Sequence, residues 1–437
     1  MLKLSGSELA DTSPLLHHKY HKTVLPNGLC VVSEAIPYVR SISIGVWINV
    51  GSRDESESNN GITHFLEHMV FKGTERYSAP QIARSLEQLG GYLNAFTTKE
   101  HTCFYARILD DNLSEAVDVL SDLVQHPTFS RTEIEKEKGV ILEELKNIED
   151  DPDDLIHDYF DHNIFQKHPL GFPIIGRAET VRSFSRDDLF RYIRHHYIPE
   201  RMVVSAAGNV QHEVLVDLVE KHFRKAKNRG THIQRSSGPR HSKPRKDLFE
   251  KPITQAHICL GTLGYGVKNR QRFTLLALNT LLGEGMSSRL FQNIREKYGF
   301  AYSVYSFANL LSDTGNVGVY ISTDTKNVDR SIELIYHELQ KLRETPVTRA
   351  ELARTKAQLK GSIMIGLESM SNRMLRLGSG EFYFNRFITL DEVLKSVDAI
   401  KVDDVQSVAE KLFRFDLFST VIITPTGTGS HTNRRAA

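Results

Sequence analysis

The sequence predicts a mixed strand-and-helix protein built twice over, the second half echoing the first. Three observations carry this expectation. The chain has 437 residues, more than one ordinary domain holds. A basic stretch with Gly and Pro but almost nothing apolar, "KAKNRGTHIQRSSGPRHSKPRK", lies near the middle, as an interdomain tether would. The order of predicted elements repeats on either side of it, at a period of about 210 residues. The expected division is residues 1–224, a linker over 225–250, and residues 251–437.

The first half opens on strands. "KTVLPNGLCVV" is apolar on both sides of Pro26-Asn27-Gly28, a hairpin signal. "SISIGVWINVGS" alternates and is β-branched, so it reads as a strand. A helix follows in "GITHFLEHMVFKGT", with Asn60 or Thr63 as the expected cap. "SAPQIARSLEQLGG" reads as a helix with Ser78 near its start, Pro80 in its first turn and Gly90-Gly91 as its stop. "YLNAFTTKEHTCFYARIL" is aromatic and β-branched and reads as one strand. "DNLSEAVDVLSDLVQHP" is an amphipathic helix ended by Pro127. Ser130 and Glu133 form a capping-box pattern at the head of a long helix, "RTEIEKEKGVILEELKNIED".

The second half repeats the pattern. "RFTLLALNTLLGEG" is a helix where the histidine-bearing one would fall, and "AYSVYSFANLLSDTGNVGVYIST" matches the aromatic β stretch. "TRAELARTKAQLKGSIMIGLES" parallels the long helix. "LDEVLKSVDAIKVDDVQSVAEKLF" followed by "STVIITP" parallels "RDDLFRYIRHHYIPERMVVSAAG". The second copy has lost the histidines, so one half keeps chemistry and the other keeps shape.

Composition narrows the class. Hydrophobic residues are 40% and charged residues 25%, as in soluble globular proteins. A net charge of +1 provides no field to steer nucleic acid or an anionic membrane. Three scattered cysteines form no disulfide framework and fit a reducing compartment. No apolar run reaches the roughly 20 residues of a membrane span. The N-terminal stretch has no signal-peptide core and carries Glu8 and Asp11, which a transit peptide avoids. A cytoplasmic protein is expected.

The chemistry gathers in His64, Glu67 and His68. Residues i and i+4 of a helix share a face, so two imidazoles one turn apart are placed to hold one Zn²⁺ at about 2.0–2.1 Å each. Glu67 faces the same point and is free to act as a general base. H-x-x-E-H is the inverted zinc-peptidase motif; the bland reading is a histidine pair on an amphipathic helix. A catalytic zinc also needs a third protein ligand and an open position. In the long helix Glu137 and Glu144 share a face, and Glu133 lies near it. Spacing alone does not choose between Glu143 and Glu144, which point about 100° apart. The apolar set Ile134, Ile141 and Leu145 marks the buried side and puts Glu144 beside it.

With "GGYLNAFTTKEHTCFY", "EKEKGVILEELKNIEDDPDDLIHD" and "SSRLFQNIREKYGFAYSV" added, the chain resembles the pitrilysin and insulin-degrading enzyme family of inverted zinc peptidases. It is most similar to the short branch of the mitochondrial processing peptidase β subunit and its bacterial relatives. The resemblance runs from "LPNGLCVV" to "VIITP". It implies an α+β fold of two homologous domains, each a mostly antiparallel sheet flanked by helices, together forming half a clamshell. It implies a zinc endopeptidase holding one Zn²⁺ per chain on His64, His68 and Glu144, with Glu67 as the base. Glu137 would stand behind the ligands and orient one of them. Asn94, Ala95 and Phe96 would lie on an edge strand that pairs with an extended peptide. Phe65 would line an apolar side-chain pocket, core packing being the other reading. Arg295 and Tyr302 would stabilise the oxyanion or clamp the substrate. Asp154 and Asp158 would recognise an arginine near the cleavage site, an acidic turn around Pro152 being the other reading. The implied assembly is a homodimer enclosing a chamber, with a heterodimer as the alternative. A non-catalytic, substrate-holding subunit is the main rival function; such relatives typically lose part of the ligand set, which is complete here. A zinc hydrolase of small molecules is a third, disfavoured by the peptide-pairing strand.

Overall fold

The computed structural model describes residues 19–224, 226, 235–299 and 301–427. The first half runs β1 (Lys19–Val24), β2 (Cys30–Ala35), β3 (Ser41–Ile48), α1 (Ile62–Val70), α2 (Ala79–Glu87), β4 (Tyr92–Thr97) and β5 (Thr102–Leu109). It continues with α3 (Leu113–Gln125), α4 (Arg131–Asp150), α5 (Pro152–Phe165), α6 (Ala178–Ser183), α7 (Arg186–His196), β6 (Met202–Gly208) and α8 (His212–Phe223). The second half runs β7 (Lys246–Lys251), β8 (Ala256–Gly264), α9 (Arg272–Gly283), β9 (Ala301–Leu310), β10 (Gly315–Thr323) and α10 (Val328–Glu344). It ends with α11 (Arg349–Gly366), α12 (Met370–Phe384), α13 (Leu390–Asp398), α14 (Val402–Leu412) and β11 (Ser419–Pro425).

The two sheets share one plan. Strand order is β1-β2-β6-β3-β5-β4 in the first and β7-β11-β8-β10-β9 in the second. Each has one parallel pair, β2 with β6 and β7 with β11, and is otherwise antiparallel. Without β1, the two orders superpose strand for strand. The protein is thus α+β, two related domains of mixed sheets flanked by helices.

β3 shows how the sheet is buried. Ile42, Ile44, Val46 and Ile48 face a core shared with Phe65, Leu66 and Met69 of α1 and with Leu120 of α3. Trp47 faces the other way, into a cluster with Cys103, Val203, Met374 and Leu377. The last two belong to α12 of the second half. In return Leu155, Ile156, Phe160 and Ile164 of α5 cover Cys259, Tyr320, Val421 and Ile423 of the second sheet. Each half therefore lends a helix to the other's sheet, and each fully buried side chain so placed contributes about 1.5–3 kcal/mol.

Three expectations change. The single strand expected over residues 92–109 is the hairpin β4–β5, because "TTKEH" turns the chain. The second aromatic stretch likewise divides into β9 and β10. The expected linker over 225–250 gives up its last residues to β7, which pairs with β11. β7 is an edge strand, "KDLFEK", and edge strands carry charge, so its composition matches that of a tether.

Candidate metal centre and peptide-binding edge

Helix α1 starts at Gly61, whose φ of +93° suits glycine. A Cβ there would lie 2.6 Å from the Ile175 carbonyl oxygen. The cap comes from neither Asn60 nor Thr63. Glu55 accepts from the Gly61 and Thr63 backbone N–H groups at 2.8 and 2.9 Å, and from the Asn60 amide at 2.9 Å. A carboxylate at this end also suits the helix dipole. Burial, against the opposing pull of these hydrogen bonds, raises the Glu55 pKa to about 7.

From this anchored helix the imidazoles of His64 and His68 project together, ring centroids 4.7 Å apart. Across from them, Glu144 of α4 sends Oε1 to 3.8 Å from His64 Nε2 and Oε2 to 3.6 Å from His68 Nε2. One ligand atom from each of the three lies within 4.8 Å of the others. Tetrahedral zinc with bonds of about 2.0–2.2 Å holds its ligand atoms about 3.3–3.6 Å apart, so the donor set of two imidazole nitrogens and one carboxylate oxygen fits that ion. Burial, with the His68 charge beside it, lowers the His64 pKa to about 4, which leaves its nitrogen lone pair free at neutral pH. Glu143 points away and pairs with Lys146 at 2.6 Å, and Glu133 pairs with Lys136.

Glu137, 3% exposed, lies one helical stretch back. Its Oε1 accepts from His68 Nδ1 and its Oε2 from Lys72 Nζ, both at 2.8 Å. Burial raises its pKa, but these two donors outweigh burial and hold it below the usual carboxylate range. The proton on Nδ1 fixes the His68 tautomer that turns Nε2 toward Glu144. Glu67 Oε2 is a buried acceptor without a hydrogen-bond partner. Burial raises its pKa, and the Thr97 hydroxyl and His68 moderate the rise.

β4 runs beside this cluster as the last strand of its sheet and, among the described residues, pairs only with β5. Asn94, Ala95 and Phe96 lie on it. The Ala95 N–H donates to the Asn94 side-chain oxygen at 2.8 Å.

Residues 30–178 match the model of insulinase, peptidase family M16, and residues 183–359 match that of the peptidase M16 inactive domain. The chain is 42% identical over 403 residues to a protein of Bacillus subtilis (strain 168) named uncharacterized zinc protease YmxG, covering 92% of this chain and 97% of that one. The chain belongs to the M16 peptidase family. An uncharacterized zinc protease of Rickettsia felis is 35% identical over 93% of this chain and 98% of its own. In fold, the M16 chain superposes on the crystal structure of a protease from Helicobacter pylori with a TM-score of 0.87 at 24% identity, over 93% of this chain and 100% of that one. The gap between the two matched segments falls at residues 179–182, inside the first structural half, since β6 completes the first sheet. Peptidase membership and zinc agree with the donor set found here. No helix among the described residues is long and apolar enough to cross a membrane.

The remaining sequence-predicted residues fall in three groups. Of the two readings of Phe65, pocket lining and core packing, the structure agrees with the second: it is 0% exposed and packs edge-on against Phe184 at 5.4 Å. One residue past His64 is a 100° step, which turns its ring from the metal face into the core. Arg295 and Tyr302 do meet, the guanidinium lying 5.7 Å from the Tyr302 ring and 4.7 Å from that of Phe291. Tyr302 is 77% exposed, and among the described residues no bond or ring contact joins the pair to α1 or α4. Asp154 is exposed and Asp158 half-buried on α5. Burial raises the Asp158 pKa, opposed by Lys99. Sequence reasoning missed Lys72 and Glu55. Lys72 is four residues past His68, a spacing that reaches the same face; Glu55 carries no local signal.

Proposed function

We propose that this M16 peptidase is a zinc endopeptidase that cleaves extended peptides lying along β4. The observation that supports it best is the convergence of His64, His68 and Glu144, with the unpartnered Glu67 oxygen beside them. Zinc held there supplies Lewis acidity, which polarises a peptide carbonyl and acidifies a water. Glu67 takes the water proton and passes it to the leaving amine; its raised pKa brings that exchange closer to neutral pH. Glu137 keeps His68 in the ligating tautomer. A peptide strand displaces the Asn94 side chain from the Ala95 N–H and pairs with the open edge of β4. Asp154 and Asp158 are acceptors for an arginine of that peptide.

Arg295 and Tyr302 serve as the polar clamp on the reacting carbonyl. Among the described residues neither makes a bond or ring contact with α1 or α4, which supports delivery from a second copy, hence a homodimer closing a chamber around unfolded segments. The cysteines are all free, which agrees with a reducing, cytoplasmic setting. A quenched fluorescent peptide with an arginine near its cleavage site tests the reading. Cleavage is expected, lost on chelation, restored by zinc, and reduced at least about 10²-fold by Glu67→Gln with zinc still bound. Full activity in that variant would remove Glu67 from the role of base.

A further inference from the structure

The Glu100 turn is the part of the edge-strand motif that peptide pairing does not use. Glu100 is 1% exposed, at the tip of the β4–β5 hairpin. Its carboxylate accepts from Arg53 at 2.7 Å, from the Ser312 hydroxyl and backbone N–H at 2.6 and 2.9 Å, and from the Tyr383 hydroxyl at 3.1 Å. Arg53 is also buried, and it donates onward to Asp313 at 2.9 Å and to the Ser236 carbonyl at 2.6 Å. Ser312 and Asp313 form the turn between β9 and β10, and Tyr383 lies on α12. One buried ion pair of the first half is therefore gripped by the second.

On its own side the pair joins the two elements that build the site. The Ser52 and Arg53 backbone N–H groups bond to the Thr98 and Lys99 carbonyls at 3.3 and 2.8 Å. A Cβ on Gly51 would lie 2.4 Å from the Thr98 oxygen, so residues 51–53 and the hairpin tip form one backbone unit. Two residues later Glu55 caps the metal-bearing helix. At the other side of the tip, β4 ends at Thr97, beside Glu67.

A strand that must leave one edge open for a peptide is held laterally by one neighbour only. Its rigidity has to come from its ends, and a buried ion pair holds only when all its partners are supplied. We propose that Arg53 and Glu100 are positioning residues, clamped by Ser312 and Asp313 of the second half, that set β4 against α1 and so place a paired peptide at Glu67 and the metal ligands. The half without metal ligands thereby takes part in catalysis. This rests on reading β4 as the peptide-pairing strand.

The test breaks the clamp from the second half, in Ser312→Ala and in Ser312→Ala with Asp313→Asn, using the zinc-loaded full chain. Amide hydrogen exchange over residues 92–97 is expected to speed up at least tenfold, with residues 62–70 within twofold of the unmodified protein. On an extended peptide kcat falls at least tenfold, zinc affinity stays within twofold, and Ser312→Thr, which keeps the hydroxyl, restores both exchange and rate. Unchanged exchange over 92–97, or equal acceleration over both segments, overturns the proposal. If the unmodified protein cleaves no peptide, the peptidase reading fails, while the exchange rates still decide the clamp. Should the double variant not fold, the single one carries the measurement.

Discussion

Replacing Glu137 by Gln is expected to weaken zinc binding while leaving turnover at saturating zinc nearly intact. The carboxylate accepts from His68 and from Lys72, each at 2.8 Å. A glutamine offers one acceptor oxygen to these two donors and turns its amide N–H groups toward the other. One charge-assisted hydrogen bond is lost, worth about 1.5–3 kcal/mol. If that loss falls on the orientation of His68, affinity drops about 10- to 100-fold at about 1.4 kcal/mol per decade, in line with the usual effect of removing a partner behind a metal ligand. Cleavage of the fluorescent peptide, titrated against buffered free zinc, reads both quantities. The midpoint should move right by one to two decades and the plateau stay within about threefold. An unmoved midpoint would refute the orienting role. A lost plateau with an unmoved midpoint would instead place Glu137 in the reaction itself.

Two further outcomes follow from the geometry. Phe65→Ala deletes a fully buried ring and should cost about 3–5 kcal/mol of stability, read by denaturant unfolding, while the ranking of peptides that differ in one side chain near the cleaved bond stays the same; a changed ranking would return Phe65 to a substrate pocket. His101 is buried against Phe382, and burial, followed by the Arg235 charge, lowers its pKa to about 4. The unfolded chain therefore binds more protons than the native one between its ordinary value near 6.5 and about 4. Stability from this group is present above pH 6.5 and is lost as pH falls toward 4, by up to about 1.4 kcal/mol per pH unit. His101→Phe should flatten that slope in unfolding measured over the same range, and an unaltered slope would mean His101 is not its source.

The legible part of this protein is the part governed by short-range periodicity. Two histidines one turn apart share a face wherever the helix goes, and the alternation of β3 and the capping signal at Ser130 are equally local. The repeated order of elements was visible for the same reason, since each copy writes the same local patterns and the two sheets then adopt the same strand order. What is less legible depends on partners far along the chain. β7 looks like a tether because its charges suit an edge, and α5 and α12 carry no local signal of their packing because the surfaces they cover lie on the opposite half.

By itself, then, the sequence determined the H-x-x-E-H face, the doubled plan and the set of carboxylates from which a third ligand could come. The family resemblance implied Glu144 as that ligand, and the fold brings it to the imidazoles; only the tertiary structure decided that Glu55 caps the helix bearing them, that Phe65 faces the core, and that Arg53 and Glu100 are held from the second half. The difference is physical. A helical step is set by covalent geometry within a few residues, whereas which side chains converge depends on how helices and sheets pack, and packing is decided by surfaces that no single segment contains.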